Sequence, residues 1–153
     1  MTLTFRVAGA GLAISLIGLA GCSGTEPEAG FGLPTLSQTE MQRVASDRGS
    51  AFMTGSGTLR VESNGCFTFE ESDTADGRRP WIVWPDTASH DGSTVVLGSG
   101  ARLGQGDDFS GHAVHVDLTD LPDGSNESSY FGSFGRFCEA DASGAVLFTD
   151  VES

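Results

Sequence analysis

The sequence predicts an all-β domain: a small closed or partly open barrel of about six to eight short antiparallel strands, preceded by a short helix. Three observations carry this expectation. From Gly55 onward, apolar residues recur at a spacing of two in short runs. Turns rich in glycine separate the runs, and the chain holds 22 glycines in 153 residues. No long helical period lies between them, and strands bent or broken by glycine favour a closed barrel over an open sheet.

The elements follow in chain order. The N-terminal stretch begins at Met1, carries a single charge at Arg6 and then runs apolar from Val7 to Leu19. That run is shorter than the roughly 20 residues a membrane helix needs. It has the length of the apolar region of a secretory signal. It ends in Leu19-Ala20-Gly21-Cys22. These four residues resemble the lipobox of bacterial lipoproteins, and residues 1–22 resemble their signal peptides. The resemblance implies removal of residues 1–21 and a diacylglyceryl thioether on Cys22. It also implies anchoring to the cell membrane outside the cytoplasm. A plain signal peptide followed by a chance cysteine is the alternative.

Residues 22–35 are mostly Gly, Pro, Glu and Ser and read as a lipidated flexible tether. Residues 36–50 hold the short helix. Ser37 offers a cap and Glu40 completes a capping box, with Leu36 and Met41 at the spacing of a hydrophobic staple. Met41, Val44 and Ala45 share one face, and Gly49 offers a stop. A helix this short is marginal alone, so a partly ordered segment is expected.

Residues 51–153 form the barrel domain. Leu59 and Val61 alternate with charged residues, Asn64-Gly65 supplies a turn, and Phe67 and Phe69 continue the alternation as a hairpin. Trp81-Ile82-Val83-Trp84 is apolar on both faces, hence a central strand, and Pro85 ends it. Thr94–Leu97 and Ala101–Leu103 flank Gly98-Ser99-Gly100 as a second, shorter hairpin. Val114, Val116 and Leu118 mark one face of a strand over Gly111–Leu118. Tyr130–Cys138 is aromatic and interrupted by Gly132 and Gly135, which predicts a bulged or bent strand. A last strand lies within Ala145–Val151.

The formal net charge is -13, with 21 Asp and Glu, 8 Arg and no lysine. Nucleic-acid binding needs clustered positive charge, so no nucleic-acid partner is expected. The acyl chains on Cys22 would supply membrane attachment, because the acidic body is repelled by anionic lipid. A basic protein partner fits the charge. With Cys22 assigned to lipid, Cys66 and Cys138 remain as a pair, expected as a disulfide in an oxidising compartment.

The sequence carries no motif for a cofactor, no catalytic constellation and no metal-ligand set. His112 and His115 are three apart, which on a strand directs them to opposite faces. Glu70-Glu71 and Asp107-Asp108 are adjacent pairs, so neither is a preformed acid/base dyad. There is no Gly-x-Ser-x-Gly nucleophile elbow.

Two further resemblances concern the domain. Asn64-Gly65-Cys66, Trp84-Pro85 and Gly106-Asp107 lie within residues 57–118, which resemble a family of small exported proteins of high-GC bacteria. That resemblance implies a small OB-like barrel and supplies no activity. Gly98-Ser99-Gly100-Ala101-Arg102 is similar to the S-G-A-R loop of the membrane-bound inhibitors of C-type lysozyme, small acidic lipoproteins with a β-barrel. There the serine and arginine enter the enzyme's cleft, which implies Ser99 and Arg102 as partner-binding residues here. The aromatic residue after that family's arginine is replaced by Leu103, and its following Trp-containing strand is missing. The expectation is therefore a lipid-anchored extracytoplasmic protein, not an enzyme, acting as a binding or structural module of the cell envelope. The alternative is a protein inhibitor of a lysozyme-type cell-wall hydrolase.

Overall fold

The computed structural model describes residues 32–72 and 77–153. The expected signal segment, the lipobox-like residues Leu19–Cys22 and most of the expected tether lie outside the described residues. Thr35, the last residue assigned to the tether, already belongs to a strand. The elements are β1 (Thr35–Leu36), α1 (Gln38–Asp47), β2 (Met53–Val61), β3 (Phe67–Glu71), β4 (Trp81–Pro85), β5 (Ser89–Asp91), β6 (Thr94–Val96), β7 (Arg102–Leu103), β8 (Asp108–Val116), α2 (Tyr130–Phe137), α3 (Ala140–Ser143) and β9 (Ala145–Phe148). A 3-10 turn at Leu118–Asp120 follows β8.

Strands β4, β3, β2, β8 and β9 pair in that order, and β9 pairs back onto β4 to close a five-strand barrel. The first barrel strand thus lies between the second and fourth, and the third lies beside the fifth. This is the strand order of an OB-like barrel. The expectation of antiparallel pairing throughout needs correcting at two places. β4 and β9 run parallel, and so do β1 and β4. Closure itself demands one such pair. A ring with an odd number of strands cannot alternate direction all the way round.

Barrel closure divides the apolar residues into two sets. Leu59, Phe67, Phe69, Ile82, Trp84, Phe109, Ala113, Val146 and Phe148 fill the interior and come from all five barrel strands. The rings of Phe69, Phe109 and Phe148 meet pairwise at 5.1–5.3 Å between centroids. Gly57 faces this cluster, where a β-carbon would collide with the Phe69 ring. Trp81, Val83, Val114, Val116, Ala145 and Leu147 point the other way, into a second cluster under α1 and α2. β4 and β9 are therefore buried on both faces, as the unbroken apolar run Trp81–Trp84 requires.

The three-stranded sheet β5–β6–β7 lies between β4 and β8 in sequence. It adds Val95, Leu97 and Leu103 to the interior cluster and so plugs the barrel. Both expected hairpins form. Leu59 pairs with Phe69 and Val61 with Phe67, so the hydrophobic set faces inward. The turn is one residue longer than a two-residue Asn-Gly turn. Gly65 N–H donates to the Glu62 carbonyl, and Gly65 then takes φ 84°, as in a type I turn followed by a bulge. The β6–β7 turn repeats this geometry, with Gly100 donating to Leu97.

Helix α1 is ordered and docked. The Ser37 side chain accepts from Glu40 N–H, while the Glu40 carboxylate accepts from Ser37 N–H at 3.0 Å and from its hydroxyl at 2.6 Å. Leu36, Met41, Val44 and Ala45 are buried against the barrel wall. The helix ends in a Schellman motif, with Ser50 N–H on the Ala45 carbonyl and Gly49 N–H on the Ser46 carbonyl. Packing of that apolar face supplies the stability that three turns of helix lack alone.

The expected strand over Tyr130–Cys138 is instead helix α2. Ser129 caps it, its hydroxyl accepting from Gly132 N–H at 2.9 Å. The glycines mark close contact rather than strand breaks. A β-carbon at Gly132 would strike the Asn126 carbonyl oxygen, and one at Gly135 would strike the Leu118 side chain. Their spacing of three puts both on the helix face that lies against the 118–126 segment.

Candidate functional site

Cys66 and Cys138 form a disulfide, with Cα atoms 5.7 Å apart. Cys66 ends the β2–β3 turn and Cys138 caps the C-terminus of α2. The bond thus ties the first hairpin to the long β8–β9 connection. Asn64 strengthens the same link, its side-chain amide donating to the Phe137 carbonyl at 3.0 Å.

Beside this staple lies a polar cleft of two adjoining lobes, on either side of the segment that leads into β4. One lobe, of about 340 Å³, is lined by Arg48, Glu71, Arg78, His115, Asp117 and Asp141. The other is lined by Glu62, Asn64, Thr68, Arg78, Arg79 and Glu139, with the disulfide at its edge. Three of the eight arginines of the chain line these lobes, Arg48 in the first, Arg79 in the second and Arg78 in both.

Arg48 comes from the end of α1, and Arg78 and Arg79 come from the segment that leads into β4. Arg48 is the C-cap of α1 and bonds Asp120 and, at 2.9 Å, Asp117. Those two carboxylates push the Arg48 guanidinium above its ordinary value, Asp120 first. Arg79 reaches Glu62 at 3.0 Å. Glu62 also accepts from the hydroxyl of Thr68, a buried polar side chain, at 2.9 Å. Arg78 belongs to both lobes. His115, at the end of β8, stands 3.8 Å from Glu71. Guanidinium forks held in place by carboxylates present several oriented donors to a ligand entering the cleft.

The histidines diverge. His112 Nδ1 lies 2.9 Å from Asp150 on the outer wall, while His115 faces Glu71 in the cleft. Among the described residues, no group of three or more His, Cys, Asp and Glu side chains is placed to hold a metal ion. Ser99 and Arg102 do share one exposed turn, at the end of the β6–β7 hairpin. Arg102 does not project freely. It bonds Asp91 across the small sheet at 2.8 Å, and its side chain is 54% exposed. Ser99 Oγ accepts from Ala101 N–H at 3.3 Å, closing the turn on itself.

Sequence reasoning named His115, Glu71 and the two cysteines without joining them into one site, and missed the arginines of the cleft. The available signal was the doublet Arg78-Arg79 just before Pro80, in a chain with few cations. Compared with models of protein families, with curated proteins and with solved structures, the chain matches none of them.

Proposed function

We propose that this protein is a lipid-anchored extracytoplasmic binding module of the cell envelope, and that it takes its ligand in the cleft around Arg78 and Arg79. The observation that carries the reading is that Arg48, Arg78 and Arg79, three of the eight arginines of an acidic chain, line the two lobes of that cleft together with five carboxylates, Glu62, Glu71, Asp117, Glu139 and Asp141. The lipobox residues Leu19–Cys22 support the anchor, and the Cys66–Cys138 bond supports an oxidising compartment. The cleft mixes cations with carboxylates, so it favours a polar ligand that offers acceptors and donors together. A hydroxyl- and carboxylate-bearing glycan segment of the envelope has that chemistry. OB-like barrels bind oligosaccharides beside their first hairpin, which is an argument from fold alone.

The test is calorimetric titration of the full-length protein in detergent micelles with soluble fragments of envelope glycan. Loss of one charge-assisted contact weakens binding by about 1.5–3 kcal/mol, so Arg79→Ala should lower affinity at least tenfold. Thr58→Ala, on the outer side of β2, should leave it unchanged. Absence of binding, or binding indifferent to Arg79→Ala, would count against the proposal.

One observation favours a second reading, inhibition of a lysozyme-type hydrolase: Ser99 and Arg102 are both exposed on one turn. An acidic barrel would also meet a basic hydrolase quickly. Against it stands the bond that holds Arg102 down on Asp91. In a lysozyme activity titration the first reading expects no inhibition that depends on Arg102. Submicromolar inhibition abolished by Arg102→Ala would promote the second.

A further inference from the structure

Helix α2 buries one side and leaves Tyr130 and Phe137 exposed on the other. Phe131 packs on Trp81 with centroids 6.3 Å apart, and the glycine face lies against the 118–126 segment. Tyr130, Phe134 and Phe137 follow one another along the helix, at 5.9 and 6.5 Å between centroids, with the half-buried Phe134 between them also packed edge-on against Trp81 at 5.0 Å. Tyr130 is 56% exposed and Phe137 51%. Large aromatic side chains this open are unusual on a surface that is otherwise polar.

Two facts say what meets this ridge. The first is where the chain enters the fold. Gly32 packs so closely on Phe134 that a β-carbon there would overlap the ring, and the Leu33 carbonyl lies 3.5 Å from the Tyr130 hydroxyl. The ridge is therefore at the root of the N-terminal tether. If Cys22 carries the lipid, the ten residues from there to Gly32 can reach at most about 36 Å. The ridge lies within that reach of the bilayer. The second fact is charge. Residues Tyr130–Phe137 contain Arg136 and no carboxylate, in a chain with 21 acidic residues. Arg136 lies 4.0 Å from Glu127, so the ridge carries little net charge of its own, and aromatic side chains settle at the boundary between headgroups and acyl chains.

We infer that the Tyr130–Phe134–Phe137 ridge seats on the surface of the anchoring membrane and fixes the orientation of the barrel relative to it. The inference rests on the lipid-anchor reading above. With α2 down on the lipid, the barrel wall around β2 faces away from the membrane, because β2 lies across the barrel from the β4–β9 pair that α2 covers.

The experiment uses the full-length acylated protein, reconstituted in vesicles of phosphatidylethanolamine and phosphatidylglycerol that carry a spin-labelled quencher lipid. Phe137→Trp places an indole on the ridge, and Thr58→Trp places one on the far wall. Trp81 and Trp84 are fully buried and give both variants the same background. Flotation with the vesicles reads the anchor, and lipid quenching reads the ridge. The expected result is flotation of both proteins, with quenching several-fold stronger for Phe137→Trp. Tyr130→Trp repeats the measurement should Phe137→Trp fold poorly. Flotation with equal quenching at the two sites overturns the ridge while leaving the anchor standing. A ridge indole that is already shielded in detergent, and is not quenched by lipid, overturns it in favour of a second copy or the tether itself. Failure of either protein to float removes the anchor and the inference with it.

Discussion

Gly132 and Gly49 are each needed, for different reasons. At Gly132 a β-carbon would collide with the Asn126 carbonyl oxygen, a backbone atom that cannot swing away. Gly132→Ala should therefore cost about 1–3 kcal/mol through overpacking, although alanine is the better helix former. Gly49 has open space around it and a φ of +67°, so Gly49→Ala should cost only the left-handed strain of about 1 kcal/mol. Denaturant midpoints of the two variants measure the difference, and a Gly132→Ala variant as stable as the parent would contradict the packing described for α2. Glu40 gives a prediction in pH. The Ser37 hydroxyl and then the Ser37 N–H donate to its carboxylate and hold it below the usual carboxylate range. A depressed folded value means that this stabilisation is fully present at neutral pH and is lost as pH falls through it. Glu40→Gln should thus lower stability near neutral pH, and the gap to the parent should close in acid. A gap that is constant with pH would contradict the capping geometry. Such local chemistry is legible in sequence, because Ser37 and Glu40 are three residues apart. The contact at Gly132 is less legible, because it records a neighbour brought there by the fold.

Hairpins and helices differ in how plainly the chain announces them. The period of two over Leu59–Phe69 and the turn at Asn64-Gly65 fix both partners within one short stretch, so the β2–β3 hairpin could be read directly. α2 could not be read from its glycines. Glycine between aromatic residues marks a bent strand or a tightly packed helix equally well, and the deciding features were the Ser129 cap and the spacing of Tyr130, Phe134 and Phe137. The parallel pairing of β4 with β9 joins residues more than sixty positions apart, and no local pattern encodes it. The Cys66–Cys138 bond, read from the number of cysteines, is the covalent counterpart of that long-range closure. It spans 72 positions, and in the chain-entropy model its loss costs about 4 kcal/mol. Cys138→Ala should shift thermal unfolding down accordingly and loosen α2 first, seen as faster amide exchange over 130–138. Exchange unchanged in that helix would show that the disulfide does not hold it.

At the scale of the molecule, one barrel carries two cores and one polar cleft. The sequence displayed their materials without their assembly. Arg78-Arg79 stands out as a doublet, but the cleft also needs Arg48 from the end of α1, Glu62 from the first hairpin and Asp141 from α3. Only closure of the barrel and the disulfide bring those segments together. The turn at Ser99 and Arg102 was visible for the opposite reason, being complete within a few residues. The proposed attachment to the envelope would determine which ligands the cleft can meet and which surface the aromatic ridge can touch. It is tested most directly by intact-mass and N-terminal peptide mass spectrometry of the protein purified from its native membrane. The account predicts a chain that begins at Cys22, bears acyl chains on that residue and contains Cys66 and Cys138 in one linked peptide. An unmodified N-terminus at any other residue would contradict it.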